Sequence, residues 1–158
     1  MIRAGAVGIN LEDFGRELGG RGELYPIDVA VSRIQRVMEV ARSEGVPDFV
    51  INARTDALLA GKDLSEAIRR GKKYLEAGAS NVFVWGGSIR GGITREEVVE
   101  LTMAFEGKLN VSLKVLDEGL SVKELKEIGV ARISIGPQLS RKLIPFLQEE
   151  AEKILTSN

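Results

Sequence analysis

The stretch that decides the fold is Asp48-Phe49-Val50-Ile51-Asn52-Ala53-Arg54-Thr55-Asp56-Ala57, in which an apolar run opens into polar and charged side chains. The run at positions 49–51 is rich in β-branched residues, which predicts a strand buried on both faces. Asn52, Arg54 and Asp56 are expected where that strand stops. Ligands bind at the carboxyl ends of parallel strands, so a guanidinium and a carboxylate there are candidates for chemistry. The alternative is an ion pair that only fixes the loop.

The same order of strand, loop, helix and glycine recurs on both sides of this stretch. Capping residues predict where the helices begin, and glycines predict where they end. The predicted caps are Asp63 or Ser65 for the second helix and two capping boxes for the third and fourth, Thr94 with Glu97 and Ser121 with Glu124. Further strands are predicted at residues 6–11, 81–85, 109–115 and 131–135, and helices at 26–45, 63–78, 94–107 and 121–129, with a last helix after Gly136-Pro137.

Five such units without a linker predict one α/β domain over residues 1–158, with a parallel sheet and crossover helices. Two folds fit this pattern. An open doubly wound five-stranded sheet suits the length, whereas a TIM-type (β/α)8 barrel normally needs about 250 residues, so that only part of one would be present. The pattern leaves both open.

The composition narrows the classes of function. A formal net charge of −1 gives no field that would recruit nucleic acid or an anionic membrane. No apolar run is long enough to span a bilayer, and we expect a cytoplasmic protein. Cysteine and histidine are absent, which excludes disulfides, Cys/His zinc sites and imidazole acid–base chemistry. The groups that remain for chemistry are carboxylates, Arg, Lys, Tyr, Ser/Thr, Asn and a hard metal.

Two further segments carry expectations. The glycine-rich residues 14–24 predict either a lid or a surface loop. Pro145 predicts a kink or a restart in the last helix, because proline lacks the N–H donor and clashes with the preceding turn. An apolar stripe in that helix is expected to pack on the chain's own sheet or on another chain; it comprises Leu147, Ala151, Ile154 and Leu155.

Several motifs occur along the chain in a fixed order and spacing: Ala4-Gly5-Ala6-Val7-Gly8-Ile9-Asn10-Leu11-Glu12-Asp13, Asn52-Ala53-Arg54-Thr55-Asp56-Ala57, Tyr74-Leu75-Glu76-Ala77-Gly78-Ala79, Leu109-Asn110-Val111 and Val130-Ala131-Arg132-Ile133-Ser134-Ile135-Gly136-Pro137. In their order and spacing they closely resemble the isocitrate lyase/phosphoenolpyruvate mutase superfamily, in its mutase-like or oxo-acid lyase branch. The resemblance covers essentially the whole chain and starts at the family's fourth barrel strand, so it implies the C-terminal five βα units of a TIM-type barrel.

The resemblance implies a Mg²⁺-dependent lyase or mutase that makes or breaks a C–C or P–C bond next to a 2-oxo acid through an enolate. In family terms, Glu12 is similar to the acidic residue that reaches the metal through water. Arg54 is similar to the arginine that clamps the substrate's carboxylate or phosphonate. Asn110 is similar to an asparagine that faces the substrate, and Asn52 is taken with it as a substrate-binding candidate. Residues 14–24 correspond to the family's gating loop.

Two departures from the family pattern give a second hypothesis. The gating loop has Arg16, Glu17 and Arg21 where the lyase branches carry a Cys and a His. The aspartates that hold the metal directly lie on family strands one to three, which have no counterpart here. The enzyme is therefore expected to be incomplete in this chain alone, and the alternative is a non-catalytic half-barrel remnant that serves as an assembly or structural unit. Unpaired sheet edges further predict a homo-oligomer.

Overall fold

The computed structural model describes residues 1–15, 23–87, 90–114 and 119–156. A short 3-10 turn at Ile2–Ala4 precedes the first strand. The strands of the described residues are β1 (Gly8–Glu12), β2 (Phe14–Gly15), β3 (Glu23–Leu24), β4 (Val50–Thr55), β5 (Asn81–Val84), β6 (Leu109–Ser112) and β7 (Arg132–Ser134). The helices are α1 (Ile27–Ser43), α2 (Leu64–Glu76), α3 (Arg95–Ala104), α4 (Val122–Ile128) and α5 (Gln138–Thr156).

Five strands form one curled parallel sheet in the order β1-β4-β5-β6-β7. Each strand pairs with the next along the chain, with no reversal of order. A doubly wound sheet reverses its strand order and so carries helices on both faces. The sheet is therefore the half-barrel that the resemblance implies, and the open doubly wound alternative is wrong. β1 and β7 form its two edges.

The cap predictions are confirmed. Asp63 accepts a hydrogen bond from the Glu66 N–H at the start of α2. The capping boxes predicted at the starts of α3 and α4 are both present. α4 ends at Gly129, whose φ of 95° is a left-handed conformation that glycine adopts without strain. Local sequence therefore sets these helix boundaries.

The core lies on one face of the sheet, between the strands and helices α1 to α4. One cluster surrounds Ile51 and Tyr74 under α1 and α2, and another surrounds Val82, Leu101 and Leu109 under α2 to α4. The opposite face carries polar side chains. This division sets the candidate site on the face that would be the interior of a closed barrel.

β4 differs from its prediction in two ways. The strand runs through Thr55, so Asn52, Arg54 and Thr55 lie within it and not beyond its end. It is not buried on both faces, because Val50 is 38% exposed on the uncovered face. Hydrogen bonding to the neighbouring strands β1 and β5 extends β4 past the apolar run, and this pairing cannot be read from hydropathy alone.

The last helix differs more. α5 is one helix with Pro145 inside it, so the helix does not restart there, and the alternative of a kink at Pro145 stays a prediction. Proline deprives the Arg141 carbonyl of its helical donor, but that turn is exposed and water can replace the lost bond. The predicted stripe does not pack on the chain's own sheet: Leu147 is 61% and Leu155 is 83% exposed. No helix among the described residues is long and apolar enough to span a bilayer.

The segment at residues 14–24, predicted as a lid or a surface loop, begins and ends with short strands that pair with each other. β2 and β3 form a two-stranded antiparallel ladder, with Phe14 opposite Leu24. Residues 16–22 lie outside the described part of the chain, and so does the prediction that they form a gate.

Candidate functional site

The site starts from the pairing of β1 with β4. Parallel register places Asn10 beside Asn52 and Glu12 beside Arg54. Residues paired in this way project to the same face of a sheet, and side chains two residues apart on a strand share that face. All four side chains therefore lie on the face opposite the core, with Glu12 and Arg54 nearest the carboxyl edge.

The guanidinium group of Arg54 is hydrogen-bonded along one edge and covered by an aromatic ring on one face. Its Nε and Nη2 donate to the two carboxylate oxygens of Asp56, at 2.6 and 2.8 Å. Its Nη1 lies 3.2 Å from a carboxylate oxygen of Glu12. Its guanidinium carbon lies over the ring of Trp85, 4.2 Å from the centroid. The outer Nη1–Nη2 edge is the one at which a carboxylate or phosphonate could bind in the plane of the guanidinium.

The two acidic partners of Arg54 differ in exposure. The Asp56 side chain is 1% exposed, whereas the Glu12 side chain is 48% exposed. Burial raises the pKa of the Asp56 carboxyl, and the hydrogen bonds from Arg54 oppose that rise. Asp56 is thus a fixed internal partner, as the ion-pair interpretation of the sequence proposed, and Glu12 is the partner that solvent reaches.

A buried carboxylate supports this edge from the core side. Asp13 accepts hydrogen bonds from the Thr55 hydroxyl and from the Asp56 N–H, each at 2.8 Å. It also accepts from the Tyr74 hydroxyl at 2.6 Å and from Arg70 Nη1 at 3.2 Å. Asp13 therefore ties α2 to the turn that carries Asp56, and through Asp56 it fixes the position of Arg54.

Amide side chains cross the uncovered face of the sheet below Arg54. Asn52 donates to the Asn10 side chain at 2.5 Å, and Asn110 donates to Asn52 at 3.3 Å. Ser134 donates to Asn110 at 2.9 Å, so the chain of hydrogen bonds reaches β7. The side-chain oxygen of Asn81 is buried without a partner in the described part of the protein. These bonds join the predicted residues Asn52 and Asn110.

The donor atoms present in the site indicate whether it can bind the Mg²⁺ that the resemblance implies. Magnesium binds through one or two carboxylates, with waters and substrate oxygens completing six ligands. Across residues 1–15, 23–87, 90–114 and 119–156, no group of three or more acidic side chains could hold a metal ion. Glu12 is a single carboxylate and is paired with Arg54. The described residues therefore offer Glu12 as a carboxylate for magnesium and contain no group of three acidic ligands.

The four predicted site residues separate into two layers. Glu12 and Arg54 touch at the carboxyl edge, and Asn52 and Asn110 touch deeper in the sheet. Their roles in catalysis, binding and metal coordination remain predictions. Sequence analysis did not find Trp85 as a partner of Arg54. Arg54 pairs with Phe83, which lies two residues before Trp85, so Arg54 and Trp85 project from the same face of the sheet. This relation can be seen only when the pairing of the two strands is known.

Comparisons with known proteins agree with this fold. The sequence model of the family described as phosphoenolpyruvate phosphomutase matches residues 1–155. The 2-methylisocitrate lyase of Escherichia coli (strain K12) is 40% identical over 84 residues, which are 52% of this chain and 28% of that protein. The crystal structure of phosphoenolpyruvate phosphomutase from Streptomyces platensis subsp. rosaceus is similar with a TM-score of 0.78 at 27% identity, over 98% of this chain and 53% of that one.

A further solved structure, phosphonopyruvate hydrolase in complex with oxalate and Mg²⁺, shares the fold with a TM-score of 0.66 at 24% identity, over 95% of this chain and 53% of that one. The chain thus spans about half, or less, of the length of these relatives. The match of the family's sequence model over nearly all 158 residues, on a half-barrel sheet of the same architecture, shows that the chain belongs to the phosphoenolpyruvate phosphomutase family of lyases and mutases.

Proposed function

We propose that this chain carries the anion-binding part of a Mg²⁺-dependent lyase or mutase, which makes or breaks a C–C or P–C bond next to a 2-oxo acid through an enolate. The observation that carries the proposal is the geometry of Arg54. Its guanidinium lies at the carboxyl edge of the half-barrel, held by Asp56 on one edge and by Trp85 on one face. The outer edge is thereby preorganised for the anionic group of a small ligand.

The arrangement favours binding of a carboxylate or phosphonate group. A guanidinium forms two parallel N–H···O bonds with such a group, and these charge-assisted bonds are stronger than neutral ones. Because Asp56 already fixes the orientation of Arg54, little side-chain freedom is lost on binding. Asn52 and Asn110 lie deeper on the same face, where both are buried and hydrogen-bonded to each other, and their contact with the substrate's oxygens is part of the proposal.

The proposed site is incomplete in these 158 residues. Glu12 contributes one carboxylate, and we place it near the metal through a bridging water. The remaining metal ligands are proposed to come from elements outside this chain. Two observations support this: no acidic cluster occurs in the part of the chain that the structure describes, and the chain spans about half the length of its relatives.

Oxalate titration tests the anion site. Trp85 is the single tryptophan of the sequence and contacts Arg54, so its fluorescence reports on ligands at the guanidinium. We expect oxalate to change the emission of the parent protein in a saturable way. Arg54→Lys should weaken binding about tenfold or more, since an ammonium cannot make the bidentate contact.

Arg36→Lys is the matched control, because Arg36 is an exposed arginine on α1 whose side chain is 78% exposed. It should bind oxalate as the parent does. Equal affinity of the parent and Arg54→Lys would remove Arg54 from the site.

The metal part of the proposal has its own test. Added Mg²⁺ is expected to raise the thermal midpoint of the parent in the presence of oxalate, because a ligand that binds only the folded state stabilises it. Glu12→Gln should reduce that increase. If Mg²⁺ shifts the midpoint of neither protein, the metal assignment fails for this chain, while the oxalate result still decides the anion site.

The second candidate function is assembly without catalysis, and the exposed helix α5 favours it. The apolar side chains of α5 are largely exposed; they include Leu139, Leu143, Ile144, Phe146, Leu147, Ile154 and Leu155. An apolar surface of this extent is typical of an interaction site. We propose that α5 mediates a homo-oligomer in either case.

Light scattering tests this proposal, with Leu147→Glu as the variant that should lower the mass. A monomeric mass for the parent at micromolar concentration would contradict it. The expected cytoplasmic location and the single domain over residues 1–158 stay predictions; one cooperative unfolding transition would support the latter.

A further inference from the structure

We propose that Trp85 is a positioning residue for Arg54, whose indole ring fixes the plane of the guanidinium and thereby favours planar dicarboxylates over tetrahedral anions. The inference rests on the proposed function of Arg54 as the anion clamp. It assigns a role to a residue that neither the motifs nor the predicted site included.

Apart from the longer contact with the half-exposed Glu12 carboxylate, Asp56 is the group that orients the Arg54 guanidinium, and Trp85 limits the rotation that Asp56 leaves open. Asp56 anchors the Nε–Nη2 edge with two hydrogen bonds, which sets the direction of the guanidinium. Two bonds along one edge act as a hinge, about which the plane can still tilt. The indole ring, 4.2 Å from the guanidinium carbon, covers one face and limits that tilt. Arginine stacks on aromatic faces in this way.

The backbone fixes Trp85 firmly enough for this role. Its N–H donates to the Thr55 carbonyl at 3.1 Å, which continues the pairing of β5 with β4 beyond the end of β5. The register places Phe83 opposite Arg54, so Trp85 lies one step nearer the carboxyl edge on the same face. Trp85 is half-buried, and its ring lies over the guanidinium of Arg54.

A fixed plane has a consequence for selectivity. A carboxylate is planar and makes both hydrogen bonds only when it lies in the guanidinium plane. Sulfate is tetrahedral and presents oxygens in several directions, so two of them can accept hydrogen bonds from the guanidinium whatever the tilt of its plane. Loss of the ring should therefore weaken oxalate binding more than sulfate binding. A purely structural role of Trp85 would weaken both anions alike.

The test compares Trp85→Phe with Trp85→Leu. Phenylalanine keeps an aromatic face, whereas leucine is apolar without one. Since these variants lack the fluorophore, calorimetry measures oxalate and sulfate binding in one buffer. Trp85→Leu is expected to weaken oxalate binding about two- to thirtyfold, the range that a cation–π contact gives. Trp85→Phe should retain most of the affinity, and both variants should unfold near the parent's thermal midpoint.

Three results would overturn the inference while leaving the anion site in place. They are parent-like oxalate affinity in Trp85→Leu, equal losses in Trp85→Phe and Trp85→Leu, and equal weakening of oxalate and sulfate. If the parent binds neither anion at millimolar concentration, the proposed function fails and this inference fails with it. A selective loss of oxalate affinity in Trp85→Leu, with Trp85→Phe close to the parent, supports it.

Discussion

Replacing Asp13 by asparagine is expected to cost this fold about 3 to 5 kcal/mol of unfolding free energy, the range for breaking a buried ion pair. Asp13 is 2% exposed and accepts four hydrogen bonds. One carboxylate oxygen serves the Asp56 N–H, and the other serves Thr55, Tyr74 and Arg70. An asparagine presents one oxygen and one NH₂ group. In either orientation of the amide, its NH₂ group therefore faces N–H or O–H donors that the carboxylate accepted from. The substitution also removes the negative charge that faces Arg70.

Urea unfolding measures this cost, with Trp85 fluorescence and far-UV circular dichroism as independent probes. Tyr74→Phe should cost less, about 1.5 to 3 kcal/mol, because it removes the hydrogen bond to the Asp13 carboxylate and a longer one from Arg70 Nη1 but leaves the ion pair. Glu44→Gln serves as the control, since its partner Arg3 is an exposed side chain. Exposed pairs contribute about 1 kcal/mol or less. A cost below about 1 kcal/mol for Asp13→Asn, within the scatter of exposed pairs, would refute the role given to Asp13.

Two further predictions concern the core. Burial and the Asp13 carboxylate raise the pKa of Tyr74 far above its usual range. Above about pH 10, where a tyrosine in the unfolded chain loses its proton, the folded state keeps it, so parental stability should fall with rising pH. Tyr74→Phe should lose that part of the slope in urea unfolding from pH 8 to 11, and an unchanged slope would contradict the assignment. Gly71→Ala should destabilise by about 1 to 3 kcal/mol, because a Cβ there would collide with the Phe105 ring; a thermal midpoint equal to the parent's would contradict that packing.

Local chemistry made much of the fold predictable from the sequence. Capping boxes set the starts of α3 and α4, and Gly129 sets the end of α4, whereas α3 ends at Ala104, three residues before the predicted stop at Gly107. Apolar runs located all five strands of the parallel sheet. These signals depend on neighbours along the chain, which is why they could be read without a structure.

The half-barrel needed more than local chemistry. Length and the repeating units allowed both a half-barrel and an open sheet, and only the family motifs distinguished them. Strand order depends on how crossover connections place each new strand beside the last, and an individual unit does not encode that choice. Pro145 is a case in which a local rule fails. Proline is normally excluded from helix interiors, but the exposed helix α5 contains one.

The sequence identified candidate residues of the site but not the contacts between them. Glu12 and Arg54 could be named because ionisable groups cluster at functional sites and ligands bind at the carboxyl ends of parallel strands. Their contact, and the stacking of Trp85 on Arg54, follow from the registers of β1 with β4 and of β4 with β5. Registers arise from packing across the whole sheet, so no single motif reveals them.

A crystal structure of the protein with oxalate tests the central claim most directly, because it locates the anion and the orientation of Arg54 together. We predict a carboxylate of oxalate in the plane of the guanidinium, with its oxygens about 2.7 to 2.9 Å from Nη1 and Nη2, while Asp56 and Trp85 keep their present contacts. Oxalate bound elsewhere, with the outer edge of Arg54 still facing solvent or Glu12, would contradict the assignment of this edge of the half-barrel as the anion site.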